Sequence, residues 1–149
     1  MIEPTSSAAT VLSIRRTFNA PRERVFTAFT DPALIASWFG PPDSRVHEVT
    51  FDARNGGRYR IEMSMDGGEP FAVGGVISEY HPPETLAYTF RWEEDDPQDE
   101  RDTYVRLEFA DRGTQCEMTL TQTGFIDDES RNRHEFGWNA SLEKLSGLI

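Results

Sequence analysis

The central part of the chain, residues 45 to 120, alternates apolar and polar side chains and is interrupted by short turns. The clearest stretch places Tyr59, Ile61 and Met63 on one face, with arginine and glutamate between them. A period of two is typical of β-strands. Turns such as Asn55-Gly56-Gly57 are too short for the crossover that parallel strands require. The pattern therefore predicts six successive antiparallel strands, with a bulge or sharp bend at Gly74-Gly75.

Helical patterns lie on both sides of these strands. Residues 11–18 read as a first strand, and Pro21 suits the first turn of a helix. Asp31 followed by Pro32 predicts the start of a second short helix, which carries Leu34, Ile35 and Trp38. The sequence thus predicts one strand and two helices before the six strands.

The last segment predicts one long amphipathic helix that begins at Asp127-Asp128. His134, Trp138, Leu142, Leu145 and Ile149 follow one another at spacings of four, four, three and four. The complete order is β-α-α-β6-α. This order predicts an α+β fold in which a curved antiparallel sheet covers one long C-terminal helix.

Charge and cysteine content exclude several classes of function. The chain has 26 acidic and 15 basic residues, a net charge of −11, and binding to nucleic acid or anionic membranes requires the opposite sign. The one cysteine, Cys116, cannot form an intrachain disulfide and falls in an inward strand row, where a thiol is an inert small hydrophobe. No run of 18 apolar residues predicts a membrane span.

A ten-residue segment, residues 93–102, contributes −6 of the net charge. It is interpreted as a solvated hairpin loop, with a docking surface for a basic protein partner as the alternative. Residues 1–10 are predicted to form a flexible leader, and residues 11–149 a single domain. A cytoplasmic location is expected, and a homodimer is left open.

Three stretches resemble a known family. The segment APRERVFTAFTDPALIASWFGP (20–41) is similar to the opening of the activator-of-heat-shock-protein-90-ATPase homologue family. The segment GGVISEYHPPETLAYTFRW (74–92) resembles that family's central strand pair, and TQTGF (121–125) with His134, Gly137-Trp138 and Leu142 resembles its closing strand and helix. The resemblance implies the START-like (SRPBCC) helix-grip fold, in which a cavity lies between the sheet and the long helix.

The elements that the resemblance places around this cavity are rich in aromatic residues. We expect its lining to be Trp38, Phe39, Tyr59, Met63, Phe71, Trp92, Phe125, His134 and Trp138. His134 is interpreted either as a polar anchor for a ligand at the cavity mouth or as a helix-face histidine that bonds to a backbone or carboxylate group of the same chain. No histidine spacing indicates a metal site. No glycine pair opens a helix after a strand, so no cofactor is expected.

Three functions remain open. The first is non-enzymatic binding or carriage of a small hydrophobic or aromatic molecule, which fits the aromatic content and the lack of a catalytic motif. The second is a stress-response or chaperone-linked interaction module that uses the acidic segment or a sheet edge. The third is a cyclase- or dehydratase-type enzyme, for which His134, Tyr59 and His47 are the candidate acid–base groups.

Overall fold

The computed structural model describes residues 11–93 and 102–149. The predicted leader, residues 1–10, and all but the two ends of the acidic segment 93–102 lie outside these ranges. The elements follow in the order β1 (Leu12–Phe18), α1 (Arg22–Ala28), α2 (Pro32–Trp38), β2 (Ser44–Phe51), β3 (Arg58–Met65), β4 (Phe71–His81), β5 (Thr85–Trp92), β6 (Thr103–Arg112), β7 (Gln115–Thr123) and α3 (Asp128–Leu148).

The seven strands form one antiparallel sheet in the order β1-β7-β6-β5-β4-β3-β2. Strands β2 to β7 pair in sequence order, and β1 joins the far side of β7, where Leu12 lies opposite Gln122. The sheet curls around α3, whose Trp138, Leu142 and Leu145 are buried. The predicted α+β helix-grip arrangement is confirmed. No helix in the described ranges is long and apolar enough to cross a membrane.

Local sequence signals define the helix starts. The Asp31 carboxylate accepts hydrogen bonds from the backbone N–H groups of Ala33 and Leu34, with Pro32 at the first helical position. The Asp127 carboxylate accepts from Ser130 N–H at 2.8 Å at the start of α3. In α2 the buried face consists of Ile35 and Trp38. Leu34 lies on the same helix but is 42% exposed.

Two details of the sheet differ from the expected pattern. In an uninterrupted strand His47 would share a face with Val49 and Phe51, but the β2–β3 register shifts between Val46 and Glu48, and His47 is exposed. In β4 the register shift falls between Ile77 and Glu79 rather than at the glycine pair. The pair instead permits close strand packing, since a Cβ on Gly75 would lie 2.0 Å from the Thr89 carbonyl oxygen.

Candidate functional site

A cavity of about 280 Å³ lies between the N-terminal half of α3, the end of β5 and the loop that follows α2. Four aromatic rings, one histidine, one arginine and several small residues line it: Phe39, Gly40, Pro41, Phe90, Trp92, Arg133, His134, Gly137, Trp138 and Ser141. Three separate parts of the chain thus meet around one space. A concave, largely aromatic pocket with a few polar groups is the usual form of a small-molecule site.

The four aromatic rings, here called the cavity cluster (Phe39, Phe90, Trp92 and Trp138), contact one another mainly edge to face. Phe39 and Trp138 are perpendicular, with ring centroids 5.8 Å apart and an interplanar angle of 89°. Phe90 meets Trp92 at 5.6 Å and 87°, and Trp138 at 5.9 Å. These distances fall in the favourable range for aromatic pairs. The rings therefore support one another and form a defined wall.

A buried chain of hydrogen bonds fixes the Trp138 ring. The Trp138 indole N–H donates to Gln122 Oε1 at 2.8 Å. The Gln122 amide nitrogen then donates to Thr103 Oγ at 2.9 Å, and the Thr103 hydroxyl donates to the Phe90 carbonyl at 2.8 Å. Gln122 is fully buried. The hydrogen bonds of this chain offset the cost of burying these polar groups beside the cavity.

His134 holds the second indole of the wall. Trp92 Nε1–H donates to His134 Nε2 at 2.9 Å, and His134 Nδ1 lies 2.7 Å from the Ser130 carbonyl oxygen. Since Nε2 must supply a lone pair to the indole, the network assigns the ring proton to Nδ1, which donates to Ser130. Phe125 packs on the same imidazole with centroids 4.9 Å apart. The neutral imidazole therefore orients Trp92.

Small residues form the opposite side of the cavity. Ser141 of α3 donates its hydroxyl to the Gly40 carbonyl at 2.9 Å and accepts from Gly40 N–H at 3.1 Å. Gly40 has a φ of +115°, and a Cβ there would lie 2.4 Å from Ser44 Oγ, so glycine is required. This pair of bonds joins the loop after α2 to the long helix and fixes the cavity rim.

Gly137 lines the cavity from the middle of α3 and differs from Gly40. A Cβ at Gly137 would meet no heavy atom within 4 Å. Close packing therefore does not require glycine at this position, and what faces it is open space.

Four of the nine predicted lining residues come together at this cavity: Phe39, Trp92, His134 and Trp138. The other five are outside its lining. Met63 is fully buried, Trp38 packs in the core, and Phe125 and Phe71 lie behind the wall, in contact with His134 and Trp92 respectively. Tyr59 is buried on β3, where its hydroxyl donates to the Thr89 carbonyl at 2.6 Å.

The candidate acid–base groups do not share a site. Neither Tyr59 nor His47 lines the cavity that contains His134. His47 is exposed, and its Nε2 lies 2.7 Å from Ser64 Oγ. Burial raises the pKa of Tyr59 well above its ordinary value, which disfavours the phenolate. The arrangement thus supplies no acid–base pair made from these three groups.

Other reactive groups are equally separate from the cavity. Burial raises the pKa of the Cys116 thiol to about 11, against a smaller opposing effect of the nearby Arg22 charge. This matches the interpretation of Cys116 as a small hydrophobe in the core. Within residues 11–93 and 102–149, no three histidine, cysteine or acidic side chains are grouped as metal ligands.

Six lining residues were not among those predicted: Gly40, Pro41, Phe90, Arg133, Gly137 and Ser141. Phe90 is buried on β5, and a period of two does not distinguish a core ring from a ring that borders a cavity. Gly137 could have been recognised from the sequence, because a glycine in the middle of a helix is unfavourable by about 1 kcal/mol and so indicates a special position. Ser141 and Gly40 are 101 residues apart, and no local pattern predicts their contact.

Comparisons with known proteins agree with this geometry. Residues 19–149 match the model of the family described as "Activator of Hsp90 ATPase homolog 1-like protein". Protein CV1439 from Chromobacterium violaceum is 30% identical, with a TM-score of 0.85 and coverage of 94% of this chain and 96% of that one. The AHSA1 protein from Silicibacter pomeroyi is 28% identical, with a TM-score of 0.82 and coverage of 92% and 95%.

A protein of lower identity shares the fold alone. Protein Ms6760 from Mycobacterium smegmatis is 20% identical, with a TM-score of 0.80 over 96% of this chain and 92% of that one. No curated protein matches the chain significantly. The family match covers nearly all of the described residues, and the helix-grip fold is that of the solved relatives. The chain therefore belongs to the Activator of Hsp90 ATPase homolog 1-like family.

Proposed function

We propose that this protein binds and carries a small apolar, aromatic molecule in the cavity beside α3. The observation that supports this most strongly is Gly137, a glycine in the middle of the long helix that faces open space. Such a glycine lowers helix stability by about 1 kcal/mol relative to alanine. Neither the backbone conformation nor a close neighbour requires this glycine. Its physical effect is to leave part of the cavity unfilled by a side chain.

The walls of the cavity support the same proposal. Both indole N–H groups at the cavity have acceptors within the protein, Gln122 for Trp138 and His134 for Trp92. The rings are held before any ligand arrives, so binding does not have to order them. Pre-formed aromatic walls recognise a ligand through ring contacts and apolar burial.

The experiment is a calorimetric titration with 2-naphthalenemethanol, a neutral two-ring probe. Gly137→Leu places a side chain in the cavity without a clash at Cβ, and we expect it to abolish binding. Gly147→Leu is the matched control, because Gly147 lies on the same helix, also faces open space and does not line the cavity. Absence of binding to the wild-type protein, or equal binding by Gly137→Leu, would contradict the proposal.

The chaperone-linked alternative rests on the family description and on the acidic segment. Of residues 93–102 the structure describes only the two ends, where Glu93 accepts a hydrogen bond from Arg60 at 2.8 Å and Asp102 lies 4.0 Å from Arg91. Its test is a pull-down of the chaperone with the wild-type chain and with the acids of this segment neutralised. Loss of capture on neutralisation would favour this function over carriage.

The remaining expectations about this protein stay predictions. They are the cytoplasmic location, the flexible leader and the single-domain boundary, and the homodimer stays open. The enzymatic alternative is not favoured, because the groups named for it lie at separate places in the fold.

A further inference from the structure

We infer that the ligand is an aromatic acid of one or two rings, whose rings contact the cavity cluster and whose anionic group faces Arg133. This inference rests on the proposed function and adds the chemical class of the ligand. Three observations support it: the size of the cavity, the state of its interior polar groups and the position of its charge.

The size of the cavity limits the apolar part of the ligand. A protein cavity of about 150 Å³ accommodates benzene. In proportion, the 280 Å³ here holds about eleven carbon atoms, which corresponds to two fused rings. The cavity volume therefore matches a compact ring system of this size.

The polar groups inside the cavity already form hydrogen bonds within the protein. The indoles of Trp92 and Trp138 donate to His134 and Gln122, and the Ser141 hydroxyl donates to Gly40. The imidazole uses Nε2 for Trp92 and Nδ1 for the Ser130 carbonyl. A polar group placed deep in the cavity would disrupt one of these bonds or remain unsatisfied, which is unfavourable. The polar end of the ligand therefore lies at the mouth.

The positive charge of Arg133 at the cavity mouth favours an anionic group on the ligand. Among the described residues that line the cavity, Arg133 is the one with a charged side chain. Its guanidinium presents five N–H donors in a planar fork that matches a carboxylate. The Arg133 side chain is 59% exposed and lies 4.0 Å from Glu129. Because the guanidinium has five N–H donors, it can bind a ligand carboxylate while it keeps its contacts within the protein.

The test compares three probes of nearly equal shape: 2-naphthoate, 2-naphthalenemethanol and 2-naphthylmethylammonium. We expect the acid to bind most tightly, the alcohol less tightly and the ammonium least tightly. Because Arg133 is exposed, the preference for the acid over the alcohol should be modest, about threefold to fivefold at low salt. It should shrink as ionic strength rises, since exposed charges are screened.

Arg133→Gln should remove this preference, so that the acid and the alcohol bind this variant with equal affinity. Lys144→Gln is the matched control, because it removes the same charge from an exposed position on α3 outside the cavity lining, and it should keep the preference. Equal affinity for acid and alcohol in the wild-type protein, or a preference that survives Arg133→Gln, would overturn this inference while the proposed function stands. If none of the three probes binds, both are contradicted.

Discussion

Two clusters of aromatic rings lie side by side in this fold and behave differently. The packed cluster (Phe26, Phe29, Trp38 and Phe109) is buried under α1 and α2, with ring centroids 4.8 to 5.5 Å apart. The cavity cluster surrounds a space of about 280 Å³ with centroids 5.6 to 5.9 Å apart. Both are aromatic and largely buried, and the cavity described above is lined by the second cluster.

The difference lies in what stands opposite the rings. In the packed cluster each ring meets another ring, and the Trp38 indole N–H donates to a backbone carbonyl ten residues earlier, at Ala28. In the cavity cluster the rings face Gly137, Gly40 and Ser141, and their indoles donate to side chains of distant elements. Aromatic residues that would otherwise pack in the core thus form a cavity wall when the residues across from them are small.

The largest expected effect separates the two clusters by stability. Phe109→Ala should lower the free energy of unfolding by about 3–5 kcal/mol, because it removes a fully packed ring. Phe39→Ala should lower it by at least about 1 kcal/mol less, since part of that ring already borders empty space. Denaturant unfolding of both variants measures this. A loss for Phe39→Ala as large as that for Phe109→Ala would show that the two clusters are packed alike.

A second prediction concerns the buried polar chain behind Trp138. Gln122→Leu should lower the free energy of unfolding by about 1–3 kcal/mol, because the indole N–H loses its acceptor in a buried site. Trp138→Phe removes that donor. In a double-mutant cycle measured by denaturant unfolding, the two changes should therefore cost less together than the sum of the single changes. Strict additivity would mean that the hydrogen bond contributes nothing.

The third prediction is an increase in the free energy of unfolding rather than a decrease. Gly137→Ala should raise the free energy of unfolding by about 1 kcal/mol, because alanine favours the helix, and it should weaken binding of 2-naphthalenemethanol. Gly147→Ala, nearer the helix end, should stabilise less and leave binding intact. Thermal unfolding and calorimetry provide the two readouts. A destabilised Gly137→Ala variant would show that the fold, and not the cavity, requires this glycine.

The smallest effect tests how well the packed side of the domain excludes water. Burial raises the pKa of Cys116 to about 11, whereas an unfolded thiol titrates near about 8.5. Between these values the unfolded chain binds fewer protons than the folded one, so stability should fall as pH rises through this window. Cys116→Ala should show a smaller fall between about pH 8.5 and about pH 10. Identical pH profiles for the two proteins would contradict the assigned burial.

Local patterns were sufficient for most of the fold. The alternation in β3 and the caps at Asp31 and Asp127 correspond to observed elements, because strand faces and helix starts depend on neighbouring residues. The exposure of His47 could not be predicted from the alternation in β2, since the bulge beside it depends on the pairing of two strands. The cavity lining was only partly predictable. Trp38 and Trp138 are both helical tryptophans on an apolar face, so local sequence does not distinguish them. Long-range contacts decide that Trp138 and not Trp38 lines the cavity.

The most direct test uses the three tryptophans as reporters. Trp92 and Trp138 line the cavity, whereas Trp38 donates its indole N–H to Ala28 in the packed cluster. In an NMR titration with 2-naphthoate, we expect the indole N–H resonances of Trp92 and Trp138 to shift and that of Trp38 to stay in place. Equal shifts of all three, or a shift of Trp38 alone, would contradict the assignment of the binding site to this cavity.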